Sequence, residues 1–207
     1  MVAEEDEVTY QGKLLKKETS KVYLLLNKPV GYVTTLDDEK GRKTVMDLVK
    51  KKVKERVYPV GRLDMFTSGL LLLTNDGELA HKLSHPSYEM IKIYHVILND
   101  EISEEELDQI RKGLTLEDGI AEVDKVNHVK GAPKNEVGIQ IHIGKNRIVR
   151  RIFEHLGYHV NKLDRTYYAG LTKKDLPRGF SRNLTTQEII SLKHFGKSNR
   201  KSLNDKK

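Results

Sequence analysis

The sequence of 207 residues contains no cysteine and no tryptophan, and it has few other aromatic residues. The lack of cysteine excludes disulfides, thiolate nucleophiles and thiolate metal ligands. With 4 phenylalanines and 9 tyrosines, the chain is not an aromatic-rich platform for stacking single-stranded nucleic acid. Long apolar runs are also missing, because the most apolar stretch, 69–73, is only long enough for one buried strand.

Other absences concern targeting and metal binding. The first residues are acidic and polar rather than basic and apolar, which argues against a secretory signal peptide. We therefore expect a cytoplasmic protein that makes no contact with a membrane. Of the 8 histidines, His81 and His85 are four residues apart, but the second precedes Pro86 and is expected to lie beyond a helix end. We expect neither a metal ion nor a cofactor.

The charge balance points to a polyanionic partner without proving one. Lysine and arginine total 37 against 30 acidic residues, which gives a net charge of +7. Basic domains of this kind often bind nucleic acid, although many basic proteins do not.

Hydrophobic periodicity predicts strands alternating with a few helices. Residues 137–143 alternate apolar and polar side chains most clearly, which is typical of a half-buried strand. Further strands are predicted at 22–28, 32–35, 91–98 and around 120–129. Helices are predicted at 44–52, 77–84 and 146–157, and two more are predicted to begin at Ser103 and at Thr185. Many strands with interspersed helices predict an α+β fold with a central, mostly antiparallel mixed sheet, flanking helices and a cleft.

The predicted helix at 146–157 places its arginines at different angles. Its apolar side chains cover one arc of roughly 140° at about 100° per residue. Arg147 lies opposite that arc, whereas Arg150 lies about 60° beyond one edge. A charge so near the boundary can point into a cleft.

The segment GRLDMFTSGLLLLTNDGE, 61–78, places a polar loop between two apolar strands. Gly61 and Gly69 permit tight turns at either end of the loop. Asp64 stands beside Arg62, and a carboxylate next to an arginine stays ionised, as a nucleophile must. On these residues alone a structural Asp–Arg pair or an Asx-turn is the favoured interpretation, because most loop aspartates are structural.

Several longer blocks shift that balance. Five blocks resemble the motifs of the RsuA/RluB family of ribosomal RNA pseudouridine synthases. They are GRLDMFTSGLLLLTNDGELAHKLSHPS, LLLNKPVGYVTT, KIYHV, KNRIVRRIFEHLGYHVNKLDRT and DLPRGFSRNLTTQEI. The blocks occur in the family's order and spacing over roughly residues 21–195, and several long motifs together are far more specific than one GRLD. The resemblance implies the pseudouridine synthase fold and the isomerisation of uridine in ribosomal RNA.

The resemblance also implies roles for single residues. Asp64 matches the family's nucleophilic aspartate, and Tyr94 matches the tyrosine that contacts the target base, although a tyrosine in a strand can also simply pack a core. Arg150 matches the arginine that pairs with the catalytic carboxylate. Leu163 matches the apolar residue that packs against the base.

Three further arginines are candidates for contact with RNA. Arg62 matches the arginine beside the aspartate, which helps to hold RNA where the base has flipped out. Arg147 and Arg151 would contact either phosphate or solvent. The chain departs from the family at Ile148, where glutamine is common.

The family's N-terminal RNA-binding module is represented only by residues resembling its last strand. We expect residues 1–20 to be a remnant or the end of that module, 21–196 to form the catalytic domain, and 197–207 to be a basic disordered tail. Either the sequence has been shortened or the protein lacks the module.

The resemblance is closer to the large-subunit, RluB-type branch, which favours 23S over 16S ribosomal RNA as the partner. We expect the protein to be a monomer. One alternative is a non-catalytic RNA-binding ribosome assembly factor. A carboxylate-dependent hydrolase would need a second acid, and the candidate, Asp76, is expected to cap the helix at 77–84 instead.

Overall fold

The computed structural model describes residues 9–14 and 20–194. The strands are β1 Thr9–Tyr10, β2 Lys13–Leu14, β3 Tyr23–Lys28, β4 Tyr58–Val60, β5 Ser68–Thr74, β6 Lys92–Leu98, β7 Leu114–Leu116, β8 Gly119–Ala121, β9 Lys125–His128, β10 Glu136–Ile141, β11 Val160–Tyr168, β12 Leu171–Thr172 and β13 Ser181–Asn183. The helices are α1 Val45–Val49, α2 Gly77–Ser84, α3 Glu104–Lys112, α4 Ile148–His155 and α5 Thr186–His194, with one turn of 3-10 helix at Pro86–Tyr88.

Nine of these strands form one sheet in the order β13-β3-β5-β11-β6-β10-β9, with β4 paired to β5 and β12 paired to β11. Every pairing in this sheet is antiparallel except that of β5 with β11. The predicted α+β class with a mostly antiparallel mixed sheet is confirmed. Of the segment 1–20, which was predicted to be part of an RNA-binding module, the structure describes only the β1–β2 hairpin and residue 20. The predicted tail at 197–207 lies outside the described residues.

Both faces of the central strands are buried, which explains the apolar runs in the sequence. Along β5, Leu71 and Leu73 belong to one core cluster with α1, α3 and α4, while Leu70 and Leu72 belong to a second cluster with α2 and α5. A strand covered on both faces needs apolar residues at successive positions rather than in alternation.

The capping predictions are confirmed. Ser103 accepts from the Glu106 amide at 3.2 Å, and the Glu106 carboxylate accepts from the Ser103 amide at 2.9 Å, which fixes the start of α3. Glu188 makes the same exchange with Thr185 at α5.

The strand predicted at 32–35 is wrong. Its one ladder contact is an isolated parallel bridge between Val33 and Thr44. The Thr34 hydroxyl instead donates to the carbonyl of Leu63 at 2.7 Å. Once a side chain binds neighbouring backbone in this way, the segment serves as a support for a loop rather than as a strand.

Candidate active site

The loop 61–67 joins β4 to β5 and carries Asp64. Its position depends on Gly69, the second residue of β5, where the parallel strand β11 comes very close. A Cβ atom at Gly69 would lie 2.3 Å from the carbonyl oxygen of Arg165, and the backbone has φ +112°. Only glycine suits this approach. The close pairing sets the loop at the end of the β5–β11 pair, near β6 and α4.

A buried lysine holds the backbone of the loop. Lys28, the last residue of β3, is fully buried, and its ammonium donates to the carbonyls of Asp64 at 3.0 Å and Thr67 at 2.8 Å. It also reaches the carbonyls of Met65 and Pro29. Burial lowers the pKa of Lys28 to about 8, while attraction to Asp64 acts in the opposite direction. Charge-assisted bonds to several carbonyls make this a strong anchor.

Two other segments bind the same loop through its backbone. The Gly31 amide donates to the carbonyl of Met65 at 2.8 Å, and the Arg150 guanidinium donates to the carbonyl of Phe66 at 3.0 Å. The Thr34 hydroxyl also accepts from the Leu63 amide at 3.3 Å. Since these contacts use main-chain atoms, the side chain of Asp64 stays available and is 38% exposed.

A cavity opens beside the loop and brings together residues that are distant in sequence. Its walls come from the loop, from β6, from the segment before α4, and from β11. Asp64, Tyr94 and Leu163 all line it, together with Arg62 and Arg147. Tyr94 and Leu163 are mostly buried, at 8% and 5% exposure. A carboxylate facing an aromatic and an aliphatic side chain suits a flat, uncharged ring such as a nucleobase.

The arginine that contacts Asp64 is Arg147, with a guanidinium nitrogen 3.6 Å from the carboxylate. Arg147 also lies 3.5 Å from Glu154 and precedes α4 in the left-handed conformation, with φ +47° and ψ +28°. This conformation costs a non-glycine residue of order 1 kcal/mol, and such strain tends to occur at functional sites.

The predicted direct pairing of Arg150 with Asp64 is therefore corrected. Arg150 is buried at 6% exposure, and its terminal nitrogens donate to the carbonyls of Val160 at 2.8 Å and of Phe66. Burial lowers its pKa, while the Asp64 charge raises it. Arg150 thus acts on Asp64 only through space and through the backbone of the loop.

The remaining predicted arginines differ in their surroundings. Arg62 is exposed, lines the cavity, and makes no hydrogen bond or ion pair within residues 9–14 and 20–194. Arg151 is instead paired with Asp118, at 3.0 Å for one of its nitrogens. A nucleic acid would therefore have to compete with Asp118 for Arg151.

The acid considered for a hydrolase is in a structural position. Asp76 is the N-cap of α2, accepts from the Leu79 amide at 3.4 Å, and also accepts from the Tyr23 hydroxyl at 2.7 Å. It does not line the cavity with Asp64. The prediction that Asp76 caps α2 is confirmed.

Sequence reasoning missed several cationic residues of the site, among them Lys28 and Arg165. Arg165 is 3% exposed, lines the cavity, donates to the Leu70 carbonyl at 2.8 Å, and lies over the ring of Tyr168. Its Nη2 atom is buried and has no partner among the described residues. For Lys28 the available signal was a lysine at the end of a largely apolar strand, where a buried charge must have a specific partner. The strand β11 around Arg165 is rich in polar residues and gives no such signal.

The described part of the chain lacks the features of two other kinds of site. Its histidines, aspartates and glutamates form no group of three suited to a metal ion. None of its helices is both long and apolar enough to cross a bilayer.

An α+β sheet protein whose cavity combines a loop carboxylate, a mostly buried tyrosine and several arginines fits an enzyme that acts on a nucleobase. Comparison with known proteins identifies the class more closely. A family model described as RNA pseudouridylate synthase matches residues 22–155. The ribosomal large subunit pseudouridine synthase B of Bacillus subtilis is 42% identical over 191 residues, covering 91% of this chain and 78% of that protein.

An uncharacterized RNA pseudouridine synthase of Aquifex aeolicus is 38% identical, covering 91% of this chain and 76% of that protein. A crystal structure of a pseudouridylate synthase superimposes with a TM-score of 0.76 at 29% identity, covering 93% of this chain and 82% of that one. The chain belongs to the RNA pseudouridylate synthase family, and the resemblance to its RsuA/RluB branch is confirmed.

Proposed function

We propose that this protein isomerises specific uridines of ribosomal RNA to pseudouridine, with Asp64 as the nucleophile. The observation that carries the proposal is one cavity lined by Asp64, Tyr94 and Leu163 in a member of this family. The reaction detaches uracil from ribose, rotates it and rejoins it through carbon. The large-subunit names of relatives, such as that from B. subtilis, favour 23S ribosomal RNA as the substrate.

Access to the cavity requires the target uridine to leave its stack. Flipping costs a few kcal/mol in a paired or stacked RNA. Packing of the base on Tyr94 and Leu163 would offset part of that cost. Arg62, exposed at the rim and free of partners among the described residues, is placed to hold the RNA from which the base has departed.

Asp64 would then attack either the base or the sugar carbon. The neighbouring Arg147 guanidinium, 3.6 Å away, pairs with the carboxylate and orients it. The second nearby arginine, Arg150, acts as a positioning residue, because it holds the loop through the carbonyl of Phe66. The proton on carbon 5 of the base leaves after the new bond between that carbon and the ribose has formed.

Substitution of Asp64 by asparagine tests the proposal. Asp64→Asn keeps the size of the side chain, so the protein should fold and bind RNA while tritium release from uridine-labelled ribosomal RNA falls at least about 10³-fold. Asp108→Asn is the matched control, since Asp108 lies on helix α3 and, among residues 9–14 and 20–194, pairs with Arg111 alone.

Two outcomes would contradict the proposal. Turnover by Asp64→Asn at the wild-type rate would remove Asp64 from its role. RNA binding without any tritium release by the wild-type protein would favour the non-catalytic assembly factor. Mapping pseudouridines in RNA from cells with and without the gene would identify the target and would decide between 23S and 16S ribosomal RNA.

A further inference from the structure

A second concave surface lies beside the 61–67 loop and meets the candidate active site. Its walls include Val30, Phe66, His159 and Lys162, and it shares Arg147 and Leu163 with the cavity that holds Asp64. We call this surface the flanking groove. Because two residues line both spaces, an RNA strand with one nucleotide in the cavity would have neighbouring nucleotides at the groove.

One wall of the flanking groove is apolar and unusually exposed. Phe66 is 62% exposed and Val30 is 58% exposed. They come together because the amide of Gly31 donates to the carbonyl of Met65 at 2.8 Å, which joins the two short segments. Phe66 is only two residues from Asp64. An exposed aromatic face at this place offers a stacking platform for a base that has lost its neighbour.

The other wall carries the positive charge of Lys162, which no described acid neutralises, and the imidazole of His159. Lys162 and His159 are exposed, and their side chains make no hydrogen bond or ion pair within residues 9–14 and 20–194. The acid on this surface, Asp164, is already bound by Lys173 and by Arg178, the latter at 2.8 Å. These bonds, with one from Ser68, outweigh burial and lower the pKa of Asp164 to about 2.

We propose that the flanking groove binds single-stranded RNA directly adjacent to the target uridine, with a base stacked on Phe66 and Val30 and a phosphate at Lys162 and His159. The inference rests on the proposed function, because it assigns the groove to the strand that continues out of the catalytic cavity. A flipped nucleotide stays covalently joined to its neighbours, so these must lie close to the cavity mouth. The positive wall complements a phosphate backbone rather than an apolar protein surface.

Substitution of Phe66 tests the stacking contact. Loss of one base–aromatic stack should raise KM for an unmodified large-subunit ribosomal RNA transcript between about 5- and 150-fold in Phe66→Ala. The value of kcat should change by less than about threefold, since contacts equal in ground and transition states affect binding alone. Phe66→Tyr should restore the wild-type KM, because it keeps an aromatic face.

Phe180→Ala is the matched control. Phe180 is 64% exposed but does not line the flanking groove. Its substitution should leave KM unchanged, and both alanine variants should keep the wild-type melting temperature. Equal KM values for Phe66→Ala and Phe180→Ala would overturn the inference.

The phosphate contact has a separate readout in the dependence of binding on salt. Lys162→Gln should reduce the slope of log affinity against log salt concentration by about 0.7, the value for one contact with single-stranded nucleic acid. Lys125→Gln, on the edge strand β9, should leave the slope unchanged. An unchanged slope for both variants would contradict the phosphate contact at Lys162.

Failure of the inference and failure of the proposed function can be distinguished. Binding of the same transcript can be measured with the Asp64→Asn protein, with and without Phe66→Ala, so that no turnover is needed. An inactive wild-type protein would contradict the proposed function. If the wild-type protein is active and Phe66→Ala leaves the RNA affinity unchanged, only the proposal for the flanking groove is contradicted.

Discussion

Replacement of Lys28 by methionine removes the charged anchor of the 61–67 loop without opening a large cavity. Lys28 is fully buried, and its folded-state pKa lies near 8 instead of 10.5 because of burial. The unfolded chain therefore binds more protons than the folded protein between these two values. Stability must rise with pH in that window and be lowest below about pH 8, where the buried lysine is charged in both states.

The magnitude follows from the displacement of the pKa. Each unit corresponds to about 1.4 kcal/mol, so between about pH 8 and pH 9.5 the Lys28 contribution to the unfolding free energy should rise by about 1 to 2 kcal/mol. Lys28→Met should lose this rise. Lys92, whose pKa burial also lowers to about 8, is present in both proteins and cancels in the difference.

Urea unfolding of the wild-type protein and Lys28→Met at several pH values measures the difference in slope. Lys125→Met, at an exposed position, should retain the wild-type slope. Because Lys28 binds the carbonyls of Asp64 itself and of Thr67, the variant should also lose at least about tenfold in kcat through misplacement of the carboxylate. Identical pH slopes in wild type and Lys28→Met, together with an unchanged kcat, would refute this account of the anchor.

Two further predictions concern the arginines and the glycine around the loop. Arg150→Gln should lower stability by about 2–4 kcal/mol, because two carbonyls lose a charged donor. Arg147→Gln should change stability by less than about 1 kcal/mol and mainly reduce turnover. Equal melting temperatures for the two variants would contradict these assignments. Gly69→Ala should cost more than about 3 kcal/mol, since its Cβ would meet the Arg165 backbone. Gly131→Ala, also at positive φ but with no heavy atom within 4 Å of its Cβ, should cost about 1 kcal/mol in the same thermal unfolding assay.

The elements that the sequence predicted well are those in which periodicity and end signals agree. The alternation in 137–143 became β10, although the strand ends at Ile141. The capping pair of Ser103 and Glu106 fixed the start of α3. The predicted helix at 146–157 begins only at Ile148, because Arg147 adopts a left-handed conformation that no propensity indicates.

That late start explains why the choice of arginine at Asp64 could not be made from the sequence. A regular helix through 147 would place Arg147 on the side opposite the apolar arc, away from the sheet. The left-handed residue breaks this regularity and turns the side chain toward Asp64. Arg150, correctly expected at the edge of the apolar face, is buried instead against the backbone of Val160 and Phe66. Angular position placed Arg150 near the boundary of the apolar face, but it could not predict the partner.

Lys28 was missed for a related reason, since a lysine at the end of a strand normally reaches solvent. Here the strand end is covered by the 61–67 loop, and the loop supplies carbonyl oxygens to the ammonium. Lys28, Thr34 and Arg150 all bind the loop through its backbone. Substitutions of the loop's exposed side chains, Asp64 and Phe66, should therefore alter chemistry or binding while sparing the fold. Substitutions of Lys28, Thr34 or Arg150 should alter the fold as well as the chemistry or binding. The melting temperature therefore separates the anchor variants from those of Asp64 and Phe66.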